Sequence, residues 1–188
     1  NDWVRGKNQI SKTYMTMFRN ADSHITILSS YFIPGRVIRR NIREAVKRGV
    51  TIKVIVAGIS DLAISKAAER FMYDWLLRYG VQIYEYQDNV LHGKLATCDD
   101  EWMTIGSYNV NDLSAYASIE LNLDIKDPAF TAHTNQQLEK IIAENCIPIT
   151  RETHVRSKNI FKQFSRWFSY KFTRLIFKLF TFYFKQEK

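Results

Sequence analysis

Residues 92–109 read HGKLATCDDEWMTIGSYN, and the way this stretch pairs decides the fold. Leu91 to Thr97 and Trp102 to Ile105 are rich in apolar and β-branched residues, and Asp99-Asp100-Glu101 between them has turn chemistry. The pattern predicts two strands joined by a tight turn. His92 and Lys94 are two residues apart, so on a strand both side chains leave the same face. Ser107 and Asn109 repeat that spacing at the end of the second strand. A hairpin would bring an imidazole, an ammonium, a hydroxyl and a carboxamide together.

Upstream, the rhythm alternates between strand and helix. Apolar positions at helical spacing predict a helix over 8–20. HITILSSY (24–31) reads as a strand. Pro34-Gly35 breaks the chain, and 36–48 reads as a basic helix ended by Gly49, with Val37, Ile38, Ile42, Ala45 and Val46 inward. TIKVIVAG (51–58) is a nearly continuous apolar strand, as expected where both sheet faces are covered. A stripe through Ile64, Ala67, Ala68, Phe71, Met72, Trp75, Leu76 and Tyr79 predicts a helix over 62–79, and VQIYEY (81–86) a third strand. Downstream, 119–125 reads as a strand and 128–144 as a helix. The expected fold is α/β, a layered α-β-α sandwich with a mixed sheet over 1–155, followed by an amphipathic helical tail over 156–188.

Composition narrows the class. At 46% hydrophobic, the chain can fill a core, which excludes a disordered protein. No stretch approaches the roughly 20 uninterrupted apolar residues of a spanning helix, and no signal-peptide pattern opens the chain. The start at Asn1 without Met is what an excised fragment would show. Cys98 and Cys146 lack metal-ligand spacing and read as reduced thiols of a reducing compartment. Of 27 basic and 19 acidic residues, nine basic and one acidic lie in 156–188, which leaves 18 of each in 1–155. A neutral body argues against nucleic acid, whose binders carry a basic patch along their groove. The basic excess belongs to the tail and points to a surface that the tail meets.

The residues of the opening stretch suit a phosphodiester. Lys94 and Asn109 can donate to non-bridging oxygens and stabilise charge developing there. The His92 imidazole can attack phosphorus or act as a general acid. Glu120, one strand on, is placed to orient His92 through its other ring nitrogen. The cation is the lysine, so neither a metal nor a cofactor is expected. Singly, each residue has a bland reading: a histidine held in a strand, a solvated lysine, a serine and an asparagine of a turn. The joint pattern H-x-K-x4-D-x6-G-S-x-N is far more specific than any member.

That pattern, filled by His92, Lys94, Asp99, Gly106, Ser107 and Asn109, resembles the signature of the phospholipase D superfamily. Glu120 stands where that family carries the carboxylate that orients the histidine. YFIPG (31–35), the strand Ile83 to Tyr86, LHGK (91–94) and DDEWMTIGSYN (99–109) resemble the C-terminal half of bacterial cardiolipin synthases, most closely the short branch without N-terminal membrane spans. The resemblance implies two such motifs facing each other, with one histidine forming a phosphohistidine and the other acting as acid and base. His92 would then be the acid/base partner of a nucleophile on a missing N-terminal half, or would serve both roles in a homodimer. It further implies Ser107 as support for the phosphate, and Asp99 and Gly106 as structural. Leu113 departs from the family, which often has arginine there.

The activity implied is phosphatidyl transfer from phosphatidylglycerol to the hydroxyl of a second lipid, at the cytoplasmic side of a bacterial cell membrane, with the protein peripheral. Alternatives are phospholipase D hydrolysis, a homodimeric single-motif nuclease, and a silent lipid-binding half. In the tail, Trp167, Phe168, Lys171, Arg174 and Lys178 fit an interfacial helix, aromatic on one face and basic on the other. Packing on the body and a base-stacking arm are the other two readings. Arg36, Arg39, Arg40, Arg43, Lys47 and Arg48 read as a solvated helix face, Tyr31 to Pro34 as the border of an acyl-chain groove, and His133 and His154 as surface residues.

Overall fold

The computed structural model describes residues 8–60, 62–156, 163–173 and 175–176. Two βα units form its centre. Strand β1 (His24–Ser29) lies parallel to β2 (Thr51–Ala57), and β2 lies parallel to β3 (Gln82–Tyr86). Helices α2 (Arg36–Lys47) and α3 (Ala63–Arg78) make the crossovers. Ile25, Ile27, Ile52, Val54 and Val56 are almost wholly buried on one face and Leu28 and Ile55 on the other, which explains why β1 and β2 read as continuous apolar runs. The hairpin of β4 (Lys94–Cys98) and β5 (Trp102–Gly106) adds antiparallel on the far side of β1, and β6 (Asn122–Ile125) adds to β5. The sheet order is β6-β5-β4-β1-β2-β3-β7, where β7 is Cys146–Ile149.

Helices cover both faces of this mixed sheet, as expected for the sandwich. Helix α1 (Gln9–Asn20), α2 and α3 bury Tyr14, Met17, Phe18, Ile42, Met72 and Tyr73 against one face. Helix α5 (Pro128–Asn145) buries Leu138 on the other, against Leu28 and Ile55. It starts where the Asp127 side chain accepts the Phe130 amide and Pro128 occupies the first turn. The β4–β5 turn has Asp99 and Asp100 at positive φ (52° and 56°), a conformation that Asp tolerates better than most residues.

Several elements differ from the sequence reading. β4 begins at Lys94, so His92 precedes the strand. β7 and the short helices α4 (Asp112–Tyr116) and α6 (Arg151–Arg156) were not expected. β7 contains Pro148, which is compatible with an edge strand where no amide is needed on the open side. Val37 and Ile64 are exposed rather than inward. In α3 the inner face is taken by Lys66, Glu69 and Tyr73 as well as by apolar residues. Of Tyr31 to Pro34, Tyr31 is half-buried and Phe32, Ile33 and Pro34 are buried. His154 is also buried, its Nε2 3.5 Å from Asp74 and its ring 5.7 Å from that of Tyr73. Both cysteines are free thiols.

The helix over 163–173 docks on the body through one face. Ser169, Tyr170 and Thr173 are buried, and Tyr170 stacks on Phe71 at 4.8 Å. Phe164, Trp167, Phe168 and Phe172 stay exposed. Lys171 lies on the same side, 6.0 Å from the Trp167 ring centroid, and not opposite the aromatics as expected. Arg174 and Lys178 fall outside the described residues. Among the described residues no helix is long and apolar enough to cross a membrane.

Candidate active site

The site sits at the carboxyl end of β1, where parallel pairing with β2 on one side gives way to antiparallel pairing with β4 on the other. Such ends are where open α/β sheets hold their ligands. Ser29, the last residue of β1, is directly opposite Lys94, the first of β4. Lys94 therefore projects on the α1–α3 side at the rim, where only 9% of it remains exposed.

Lys94 Nζ lies 3.1 Å from His92 Nε2. An ammonium can only donate, so Nε2 presents its lone pair and the ring proton belongs on Nδ1. Lys94 Nζ is also 3.5 Å from the Ser30 hydroxyl, which donates to the Gly93 carbonyl at 3.4 Å. Burial pulls the lysine pKa down, and the charge of Glu120 offsets this in part. A Cβ at Gly93 would meet the tip of the Leu28 side chain, so the chain between His92 and Lys94 runs close to β1.

Glu120 accepts hydrogen bonds from Ser107 Oγ and, at 2.9 Å, from Ser118 Oγ. The Ser107 hydroxyl also accepts the Leu121 amide at 3.1 Å. This junction depends on Gly106. A Cβ there would overlap the Leu121 carbonyl and the Asn122 side chain, and β6 would be forced off β5. The described bonds of Glu120 thus run to two serines, whereas the sequence reading assigned it to the histidine ring.

Asn109 Oδ1 accepts from the Tyr31 amide (3.3 Å) and the Ser29 hydroxyl (3.4 Å). Its carbonyl end is thereby tied to β1, and its NH2 end is the donor side. Asp99 lies at the opposite end of β4 from Lys94. Its carboxylate accepts the amides of Asp22, Ser23 and His24 at 2.7–2.8 Å. Burial works to raise its pKa, but those amides outweigh it and hold it below the ordinary value.

The structure thus gathers His92, Lys94, Ser107, Asn109 and Glu120 around one rim and keeps Asp99 at a distance. Ser29, Ser30 and Ser118 were not singled out from sequence. The signal for the first two was present: a polar pair closing an otherwise apolar strand at its carboxyl end. Among the described residues no cluster of His, Cys, Asp and Glu suited to a metal occurs.

Comparison with known proteins gives the class. Residues 14–142 match the family described as cardiolipin synthase, PLD-like domain, and the chain belongs to that family. It is 39% identical over 140 residues to cardiolipin synthase B of Salmonella typhi, covering 74% of this chain and 34% of that one. The chain thus spans about a third of the length of such relatives. Its fold is similar to that of Nuc, a phospholipase D family member from Salmonella typhimurium (TM-score 0.64, 15% identity, covering 74% of this chain and 90% of that one). It is also similar to the phosphatidylserine synthase of Haemophilus influenzae (TM-score 0.70, 15% identity, covering 93% and 44%).

Proposed function

We propose that this chain supplies one side of a phosphatidyl-transfer site, moving the phosphatidyl group of phosphatidylglycerol through a phosphohistidine to the hydroxyl of a second lipid. The observation that carries this reading is the Nε2 lone pair of His92 held 3.1 Å from the Lys94 ammonium. A nucleophilic or basic nitrogen next to a fixed cation suits attack at an anionic phosphorus. In the first step a P–N bond forms, the P–O bond to glycerol breaks, and the glycerol oxygen takes a proton from a second imidazole. In the second step that imidazole takes the proton of the acceptor hydroxyl as its oxygen displaces the histidine. Lys94 and the NH2 end of Asn109 donate to the non-bridging oxygens throughout. Ser107 and Glu120 brace the rim.

The chemistry needs two imidazoles, and the other three histidines of the chain stand elsewhere. His24 bonds Asn135 at the far end of the sheet, His154 packs on Tyr73, and His133 lies on α5. The second imidazole comes from another phospholipase D-like half, in the same polypeptide or in a second copy. An apolar surface supports this reading. Ile105 and Leu123 are cross-strand partners on the α5 side of the sheet, and with Leu121, which is 81% exposed, they stand uncovered next to Ser107 and Glu120. Exposed aliphatic groups beside a half-built site fit a protein interface.

The membrane surface is the proposed source of substrate. Phe164, Trp167, Phe168 and Phe172 with Lys171 form an outward aromatic and basic face on the docked helix, the composition of an interfacial contact. Trp167→Glu with Phe168→Glu is expected to lower sedimentation with phosphatidylglycerol vesicles without altering the thermal melt; unchanged sedimentation removes this contact from the reading. For the reaction, labelled phosphatidylglycerol given to the full-length protein should pass its label to a second lipid, and His92→Ala should stop it. Retained transfer in His92→Ala would refute the assignment. Cleavage of DNA in place of lipid transfer would instead favour the nuclease reading.

A further inference from the structure

A second polar cluster lies in the interior, between α3 and β3. Lys66 Nζ is 2.7 Å from Glu69 Oε1, 2.9 Å from Glu85 Oε1 and 3.0 Å from the Tyr73 hydroxyl. Arg70 grips Glu85 with both Nε and a terminal nitrogen at 2.9–3.0 Å. Tyr73 donates to Glu69 or Glu85. Glu69 is 1% exposed. Burying so many charges costs several kcal/mol per ion before pairing recovers it, and apolar residues would fill the space with less risk. The cluster does one thing that apolar packing cannot: Glu69 Oε2 accepts the backbone amide of Phe32 at 3.0 Å.

That amide is the middle one of three. The Tyr31 amide goes to Asn109 Oδ1, the Phe32 amide to Glu69, and the Ile33 amide to the Val110 carbonyl at 3.0 Å. The residue before them, Ser30, faces Lys94 and Gly93. Segment 30–33 is therefore a strap fixed on one side by the buried carboxylate and on the other by the site. Taking the proposed transfer reaction as its basis, we propose that Glu69 is a positioning residue, which holds strap 30–33 against Lys94 and Asn109 and keeps the lysine dry and aimed at the phosphate.

The groups that face Lys94 are His92, Ser30 and Glu120. If the strap loosens, water reaches Nζ and the burial that lowers its basicity is relieved. Glu69→Ala alone leaves two cations, Lys66 and Arg70, on the single carboxylate of Glu85, so the variant to make is Lys66→Met with Glu69→Ala, which removes one charge of each sign. Arg70→Met is the control. It breaks the other arm of the cluster without touching the strap.

Two readouts on the full-length protein separate the possibilities. In transfer assays the double variant should lose roughly ten- to hundredfold in kcat with KM nearly unchanged, as expected for an ångström-scale misplacement, and Arg70→Met should keep kcat. Independently of activity, the pH profile for labelling of Lys94 by an amine-reactive reagent, read by peptide mass spectrometry, should move to higher pH in the double variant only. An unmoved Lys94 profile, or equal shifts in the double variant and Arg70→Met, overturns the inference. A wild-type protein inactive on phosphatidylglycerol but with the expected labelling shift would sink the transfer reading and leave the strap intact.

Discussion

The rim around His92 and Lys94 and the buried cluster around Glu69 are both polar groups set into an apolar sandwich, yet they are built on opposite rules. In the cluster, charges meet opposite charges: Lys66 with Glu69 and Glu85, and Arg70 with Glu85. At the rim, the described hydrogen bonds of the charges run to neutral groups. The Lys94 ammonium bonds an imidazole and a hydroxyl, the Glu120 carboxylate accepts from two hydroxyls, and the charge of Glu120 acts on Lys94. A charge paired with its opposite is spent on structure, whereas one held by neutral groups keeps its field for a ligand.

Deleting groups in each region should give the largest effects. His92→Ala should cost about 10⁴-fold or more in transfer rate, and Lys94→Ala about 10²- to 10³-fold, with thermal melts close to wild type. Glu85→Ala should do the reverse, lowering stability by taking the two-point partner from Arg70 and leaving Lys66 with Glu69 alone, a loss of about 1–3 kcal/mol for a charged hydrogen-bonded group, as read in denaturant titrations. A rim deletion that unfolds the protein, or a cluster deletion that leaves its stability unchanged, would erase the distinction.

Acid should also separate the two regions. Burial works to raise the Glu85 pKa, but Arg70 and Lys66 prevail and bring it down to about 2. A carboxylate depressed in this way contributes stability that is complete above its unfolded value near 4.3 and fades as pH falls towards 2. Wild type should therefore lose stability across that window, and Glu85→Gln should show a flatter acid limb in equilibrium unfolding. Glu69 runs the other way, because burial outweighs its partners and raises its pKa. A smaller effect is expected at Gly106→Ala, where the new methyl meets β6; overpacking of this kind costs about 1–3 kcal/mol, and the melt should fall while the Asp99 end of the hairpin is undisturbed. The smallest is Asp99→Asn, about 1 kcal/mol for a partly exposed carboxylate, seen near neutral pH and vanishing in acid.

These two regions also differ in how far sequence reveals them. The rim was legible because its residues are close in the chain and keep strand spacing. Even with β4 starting at Lys94, His92 reaches the same lysine. The central parallel strands were legible because Ile25 and Ile27 pair with Ile52 and Val54 on one face and Leu28 with Ile55 on the other. The cluster was not. Lys66, Glu69 and Tyr73 occupy the inner face of α3 where hydrophobic periodicity expects aliphatic side chains, so the apparent stripe rotated towards Ile64, which is exposed. Their pairing with Glu85 is a tertiary fact that no local pattern announces. β7 was missed for a related reason: four residues with a proline carry little strand signal until β3 offers them an edge. In the tail, the aromatic face was legible, but the docking of Tyr170 on Phe71 was not.

The position of β4 in the sheet has a consequence in time. Ser30 and Lys94 meet although they are 64 residues apart, because β4 returns to β1 only after β2 and β3 have been laid down on its other side. Long closures of this kind are slow steps of folding. A chain emerging from the ribosome presents the α2 and α3 crossovers before the residues of its reactive rim. Until then it holds an apolar β1 edge waiting for a partner strand, which is the interval in which this protein is most exposed to misassembly.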